Sequence, residues 1–354
     1  MNILFISFRL NSEERDGVSL ETDKWASVLH EMGHNVFYFS GDTKAPEFAR
    51  GFTNKFAHFL SKASLETTRE VLVADLLDTI KICKPDLIVA ENIFCLPENI
   101  GLSMAVLKVL EETNIKCLAH CHDFWWERER FDDETKLTMR SIFSQLDAQI
   151  VCINTLQQET LKEMGHTVDV IPNVMDFENP PTESNGYIKW YYGAWDKIVA
   201  LVPVRLVPRK NLKLTAELIH KIEQKENKKC IVIFTHKAMD EGKEYWDHVK
   251  QDFEPFEYHF VDITLEEAYN SSDVVFYTTE YEGFGNALLE TVYYKKPLVV
   301  NPYEVYKKDI KPKGFRFMEN FDGTIDNKRL NFNYEIAERH FSYRVLRKYF
   351  NGLL

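Results

Sequence analysis

Two carboxylates, Glu282 and Glu290, stand eight residues apart around the turn Gly283-Phe284-Gly285. The glycines open backbone conformations closed to other residues, and amides at the start of a following helix sit at the positive end of its dipole, where an anion such as a diphosphate is favoured. Carboxylates beside such a cradle would repel phosphates if aimed at them. They are better suited to accepting hydrogen bonds from hydroxyls, so the pattern points to a sugar on each side of a diphosphate, which describes a sugar nucleotide. The same chemistry needs cations. In Leu201-Val202-Pro203-Val204-Arg205-Leu206-Val207-Pro208-Arg209-Lys210-Asn211, Arg205 follows an apolar run and Lys210 comes five residues later at the start of a helical pattern, so both can reach one anion. Breaking a sugar to diphosphate bond builds negative charge on the leaving oxygen, and fixed cations stabilise that charge more in the transition state than before it.

A second set of candidates lies in the first half. His120-Cys121-His122-Asp123 ends an apolar run, at the strand edge where open α/β sheets place their ligands. A histidine at that edge is a candidate for substrate contact, and a structural histidine is the plain alternative. Residues 124–131 then mix aromatic faces, cations and acceptors, a combination that binds sugars and small polar acids as readily as it packs a core; Trp126, Arg128 and Arg130 are acceptor candidates. Near the N-terminus, Arg15-Asp16-Gly17-Val18-Ser19 follows the first strand pattern and opens a helix, so Gly17 and the amides of Val18 and Ser19 could face a phosphate. Cys117, His120, Cys121 and His122 invite a zinc reading. On a strand, however, residues 117 and 121 point to one face and 120 and 122 to the other, so the four could not converge. Neither a Ser-His-Asp nor a Cys-His arrangement is legible, nor an Asp-x-Asp metal motif, and Asp132-Asp133-Glu134 reads as the acidic start of a helix.

These residues need elements to hold them. Strand patterns at residues 3–8, 35–40, 86–91, 116–120, 149–154 and 168–171, and again at 198–204, 230–235, 258–261, 274–278 and 298–301, alternate with helical ones, as in parallel sheets with crossover helices. Residues 273–279 read as a buried strand and 286–295 as a helix with Leu288, Leu289 and Val292 inward, so the glycine turn falls between strand and helix. A chain of 354 residues, 45% of them apolar, exceeds one core and predicts two doubly wound domains, divided near 172–193 where Asn-Pro-Pro-Thr-Glu-Ser-Asn-Gly breaks every periodicity. Residues 334–353 read as a terminal helix and 48–65 as a packed helix. Six cysteines in apolar segments fit reduced core thiols. The net charge of −12, carried mostly by the first half, disfavours nucleic acid and anionic membrane surfaces as partners. With no run of eighteen apolar residues and an N-terminal apolar stretch too short for a signal segment, a cytoplasmic protein is expected.

The Glu-x7-Glu spacing resembles the signature of retaining glycosyltransferases of family 4, the group 1 glycosyl transferases of GT-B fold. Residues 201–211 resemble the family's Gly-Arg-Leu-x-x-x-Lys-Gly segment, Pro172-Asn173-Val174-Met175-Asp176 resembles its Pro-Asn-Gly-Val-Asp stretch, and His122-Asp123 its His-Asp. The resemblance covers nearly the whole chain. It implies an α/β protein of two Rossmann-like domains facing across a cleft: 1–172, with a helix at 335–354 crossing back to it, for the acceptor, and 173–334 for the donor. It further implies catalytic roles for Arg205, Lys210, Glu282 and His122, with Arg205 and Lys210 neutralising the leaving diphosphate and Glu282 holding the donor sugar. Donor binding would fall to Gly17, Val18, Phe284, Gly285, Asn286, Ala287 and Glu290, the last on the ribose, and acceptor binding to Asp123, Trp126, Arg128 and Arg130. No cofactor and no metal are implied. The donor would be a UDP- or GDP-sugar and the acceptor a small molecule or saccharide, with a homodimer admitted. The sequence departs from the family at Asp16, Val204 and Asn211, where glycines are usual, and at residues 302–310, which replace Thr-x-x-Gly-Gly. That last departure, with residues 16–25, is loosely similar to glycosyltransferases of compatible-solute synthesis such as mannosylglucosylglycerate formation, and the acceptor stays open. A GT-B nucleotide-sugar epimerase and a catalytically inert nucleotide-sugar binder are the alternatives.

Overall fold

Strands buried on both faces read as continuous apolar runs, because crossover helices cover each side of a parallel sheet. The computed structural model describes residues 1–8, 17–40, 57–59, 68–182, 186–236 and 241–354. It divides into two compact units, Met1–Val174 with Leu346–Leu354, and Met175–Val345.

The first unit is built on a seven-stranded parallel sheet of β1 (Asn2–Ser7), β2 (Asn35–Ser40), β3 (Ala57–Phe59), β4 (Leu87–Glu91), β5 (Lys116–Cys121), β6 (Gln149–Cys152) and β7 (Val168–Val170). The order across the sheet is β3-β2-β1-β4-β5-β6-β7. Helices α1 (Gly17–Glu31), α2 (Arg69–Cys83), α3 (Ile100–Thr113), α4 (Asp133–Ser144) and α5 (Thr155–Glu163) supply the connections. Strand order reverses between β1 and β4, where Ser7 faces Glu91 in register, so the crevice beyond those carboxyl ends is the place an open sheet offers a ligand. Instead of the helix expected over 48–65, Ala57–Phe59 extend the sheet, Ala57 opposite Tyr38. The edge of β2 carries unpaired N–H and C=O groups, and three extended residues satisfy them. The rest of that span lies outside the described residues.

The second unit repeats the plan with β8 (Ile198–Val202), β9 (Cys230–Phe234), β10 (Glu257–Phe260), β11 (Val274–Tyr277) and β12 (Leu298–Val300), all parallel, in the order β10-β9-β8-β11-β12. Its helices are α6 (Tyr187–Tyr191), α7 (Leu212–Glu226), α8 (Glu241–Val249), α9 (Leu265–Ser271), α10 (Asn286–Tyr293) and α11 (Leu330–Phe341). The switch point here falls between β8 and β11, whose carboxyl ends lead to Arg205 and to Glu282.

The expected single terminal helix is two. At Ser342 the backbone turns extended, with ψ 166, and bridges Met175, whose N–H donates to the Phe341 carbonyl at 2.8 Å. That pairing takes the place of the helical ladder and separates α11 from α12 (Tyr343–Leu353). Leu346 and Phe350, one turn apart on α12, are buried, and Phe350 packs edge-on against Trp25 of α1 with ring centroids 5.0 Å apart. All six cysteines are free and buried. Among the described residues, no helix is long and apolar enough to cross a membrane.

Candidate functional site

After β8 the chain forms a short 3-10 turn, Pro208–Lys210, before α7 begins. Asn211 closes it in the left-handed region, φ 50 and ψ 55, and its side-chain oxygen caps α7 at the Leu214 amide. Asparagine reaches that region more easily than most residues, so the family's usual glycine is dispensable here. Its Nδ2 also donates to Glu280 at 2.9 Å. This turn is tied to the loop after β11: the Glu280 amide donates to the Arg209 carbonyl at 2.8 Å, and Thr278 Oγ1 to the Lys210 carbonyl at 2.9 Å.

The consequence is a charged cluster. Lys210 is 6% exposed, and its Nζ meets Glu282 Oε1 directly. Arg209 Nη1 reaches the same oxygen at 2.9 Å and the Tyr281 carbonyl at 2.7 Å, while Thr279 Oγ1 lies 3.0 Å from Glu282 Oε1. Burial depresses the Lys210 pKa to about 8, and the nearby charges of Arg209 and Arg205 push the same way against the attraction of Glu282. Burial alone would raise Glu282, but Lys210 and Arg209 outweigh it and hold the carboxyl below its usual range. Two cations on one carboxylate leave an excess of positive charge, which suits a diphosphate. Arg205 itself is exposed and does not join the ion pair, yet it acts electrostatically on both Lys210 and His236, the latter just beyond β9.

On the other side of the turn, Gly285 takes φ 119 at the head of α10. A Cβ there would lie 2.3 Å from the Tyr303 hydroxyl, which donates to the Phe284 carbonyl at 2.5 Å. Glycine is thus required twice, by conformation and by space. Phe284 is buried with its ring against Phe341, so it shapes the turn from beneath. Asn286 and Ala287 form the first turn of α10, and Glu290 follows within the same helix, its Oε2 accepting from the buried Tyr269 hydroxyl at 2.9 Å.

The first unit carries its own cluster. Glu91, fully buried at the end of β4, accepts from both histidines of β5 and the following turn: His120 Nδ1 at 3.0 Å and His122 Nε2 at 3.3 Å. His120 also stacks on Trp25 with centroids 3.7 Å apart. Asn92, at φ 58, accepts the His122 amide at 3.0 Å and fixes the turn, and Gln157 Nε2 donates to the His122 carbonyl at 2.9 Å. The ligand-capable atoms of Glu91, His120 and His122 fall within 4.8 Å of one another, the only such grouping found among the described residues that could hold an ion. Residues 120 and 122 share a face as expected, without the cysteines. Asp123 is paired with Arg128 at 2.7 Å, Trp126 stacks on buried Phe124 with centroids 4.1 Å apart, and the exposed Arg130 lies over the Phe131 ring. Gly17 and Val18 begin the described part of α1; Arg15 and Asp16 lie outside the described residues.

Comparison with known proteins meets this geometry. Residues 194–320, which hold Arg205, Lys210, Glu282 and Glu290, match the family described as glycosyl transferases group 1. The mannosylglucosylglycerate synthase of Thermotoga maritima is 30% identical over 92% of this chain and 94% of its own length. The chain belongs to the group 1 glycosyltransferases. A second mannosylglucosylglycerate synthase, from Petrotoga mobilis, is 29% identical over 89% of this chain and 85% of its own. In fold, the Anabaena protein Alr3699/HepE, solved with UDP and glucose, matches 100% of this chain and 99% of its own, with TM-score 0.71 at 14% identity. It carries the same GT-B architecture. Among the residues of this glycosyltransferase that sequence reasoning left unassigned, Arg209 was visible beside Lys210, and Glu91 as an acid ending an apolar strand. Tyr303 gave no signal, since its role depends on where Gly285 comes to lie.

Proposed function

We propose that this enzyme is a retaining family 4 glycosyltransferase that moves a hexose from a UDP- or GDP-sugar onto a small glycoside acceptor. The two relatives carry mannosylglucosylglycerate synthase as their name, and on that basis the hexose is mannose and the acceptor glucosylglycerate. The observation that carries the reading is Glu282 held by Lys210 and Arg209 at the β8/β11 switch point. Lys210, Arg209 and Arg205 receive the diphosphate, Glu282 accepts from donor-sugar hydroxyls, and Glu290 accepts from the ribose. The acceptor hydroxyl oxygen bonds to the anomeric carbon as the bond to the phosphate oxygen breaks. Its proton passes to that leaving oxygen, on the same face of the sugar, so the configuration is retained. No protein nucleophile takes part, and the side chains supply position and charge. His122 and Asp123, with Trp126, Arg128 and Arg130 nearby in sequence, serve the acceptor and the reacting end of the donor.

The test is a panel of UDP-, GDP- and ADP-sugars with and without glucosylglycerate, read by nucleoside diphosphate release and by NMR of the product anomeric centre. Release that depends on a UDP- or GDP-linked mannose and on glucosylglycerate, with the donor's configuration kept, is expected. An inverted product, a new epimer from donor alone, or no release with any pair would overturn the reading.

A further inference from the structure

We propose that Glu91 is a positioning residue for His122: its buried carboxylate holds Nε2 and leaves Nδ1 as the ring atom offered to substrate. The inference rests on the assignment of His122 to substrate contact. Of the two histidines on Glu91, only His122 keeps any accessible surface, 5% against 0% for His120. Thus a ligand can reach one ring and not the other.

Hydrogen-bond chemistry separates their roles. His120 points Nδ1 at Glu91 while its Nε2 is buried without a partner among the described residues. A neutral ring with the proton on Nδ1 leaves only a bare lone pair there, whereas a charged ring would bury an unpaired N–H at greater cost. Burial lowers the His120 pKa accordingly. An ion in the cluster would claim Nδ1 as ligand and force the proton onto that same partnerless Nε2, so a hydrogen-bonded cluster fits these atoms better than a metal centre. His122 differs. With Nε2–H donating to Glu91, its protonated form presents an Nδ1–H donor and its neutral form an acceptor. Glu91 therefore selects which the substrate meets.

The groups facing His122 are Glu91 from β4, His120 from β5, Asp123 from its own turn and Glu21 from α1. The Glu21 carboxylate already accepts the Val174 amide at 2.9 Å and Lys24 at 3.0 Å, and Asp123 is bound to Arg128. Burial lowers the His122 pKa, but the hydrogen bond and charge of Glu91 reverse the sign and the net shift is upward.

The experiment is an imidazole nitrogen NMR titration of the substrate-free protein, wild type and Glu91→Gln, with His122→Asn for assignment, beside the pH profile of kcat/KM. In the wild type His122 is expected to titrate above the ordinary 6.5. In Glu91→Gln it should fall below the wild-type value, the basic limb of kcat/KM should move down with it, and kcat should drop about tenfold or more, the loss expected for a charge-assisted hydrogen bond. Wild-type His122 titrating at or below 6.5, superimposable pH profiles, or one equivalent of tightly bound divalent metal lost in Glu91→Gln would overturn the proposal. The titration uses no substrate, so a failure of the proposed reaction and a failure of this inference are read separately. Should Glu91→Gln not fold, the wild-type titration decides alone.

Discussion

Lys210 and Glu282, 72 residues apart in sequence, meet side chain to side chain beyond the carboxyl ends of β8 and β11. Arg209 joins on the same carboxylate oxygen, so removing any one of the three leaves a charge only partly compensated in a buried place. The cluster has more positive than negative charge, and in the proposed function its members divide the tasks: cations for the diphosphate, the carboxylate for hydroxyls.

Substituting each member should therefore give a different signature. Lys210→Ala is expected to lower kcat by about 10²–10³, the usual cost of removing one donor to developing charge, and to weaken both the bare nucleoside diphosphate and the sugar nucleotide. Glu282→Ala should lose turnover equally but weaken only the sugar nucleotide, because in the proposed function the carboxylate serves the sugar hydroxyls and not the diphosphate. Calorimetric titration with both ligands, beside circular dichroism to show that each variant folds, separates the two. Full activity in either variant would remove it from the catalytic set.

The Lys210 pKa, depressed to about 8 from an ordinary 10.5, gives donor binding a pH dependence. Below about 8 the ammonium is charged and receives the anion directly. Above it, the free enzyme must take up a proton to bind, so the dissociation constant for the nucleoside diphosphate should rise toward tenfold per pH unit, up to the pH at which the complex itself loses that proton. The sign for folding is opposite. Between 8 and 10.5 the unfolded chain holds a proton that the folded one has released, so this group makes stability rise with pH in that window. Isothermal titration from pH 7 to 9.5, repeated on Lys210→Met, checks the binding limb; an equal slope in the variant would assign it elsewhere.

Much of this was readable before any coordinates. Strand segments such as 35–40 and 230–235 are apolar runs with sharp ends, and the structure places β2 and β9 there because full burial requires such runs. That Lys210 and Glu282 come together was legible because each follows a strand that ends at one sheet edge. What escaped had non-local causes. β3 is three residues long and owes its conformation to the edge it completes. The break at Ser342 comes from pairing with Met175, to which no local propensity points. Glu91 looked like the last residue of a strand, and only the register of β4 with β5 shows that it faces His120.

Gly285→Ala tests the turn. At φ 119 an alanine is strained, and its Cβ would stand 2.3 Å from the Tyr303 hydroxyl, so a destabilisation of roughly 1–3 kcal/mol is expected, with donor binding impaired. Tyr303→Phe alone loses the hydrogen bond to the Phe284 carbonyl, worth about 1 kcal/mol. Combined, the two should cost less than their sum, since the second removes the atom that the first strikes. Denaturant melts of the four proteins give the coupling directly, and strict additivity would show that the clash is relieved in some other way.

Phe350→Ala tests how α12 is held. The ring is 2% exposed and lies edge-on to Trp25, which in turn stacks on His120, so the terminal helix supports the histidine cluster through Trp25. Truncating a buried phenylalanine costs about 3–5 kcal/mol through lost transfer energy and the cavity left behind. The variant should melt earlier than wild type. Because Trp25 loses its edge partner, the His122 imidazole resonances should also broaden or shift, while the affinity for nucleoside diphosphate, proposed to rest on Lys210 and Arg209 in the other unit, should stay as it was. A lowered nucleotide affinity with unchanged histidine resonances would show that α12 acts on the second unit and that its packing on Trp25 is incidental.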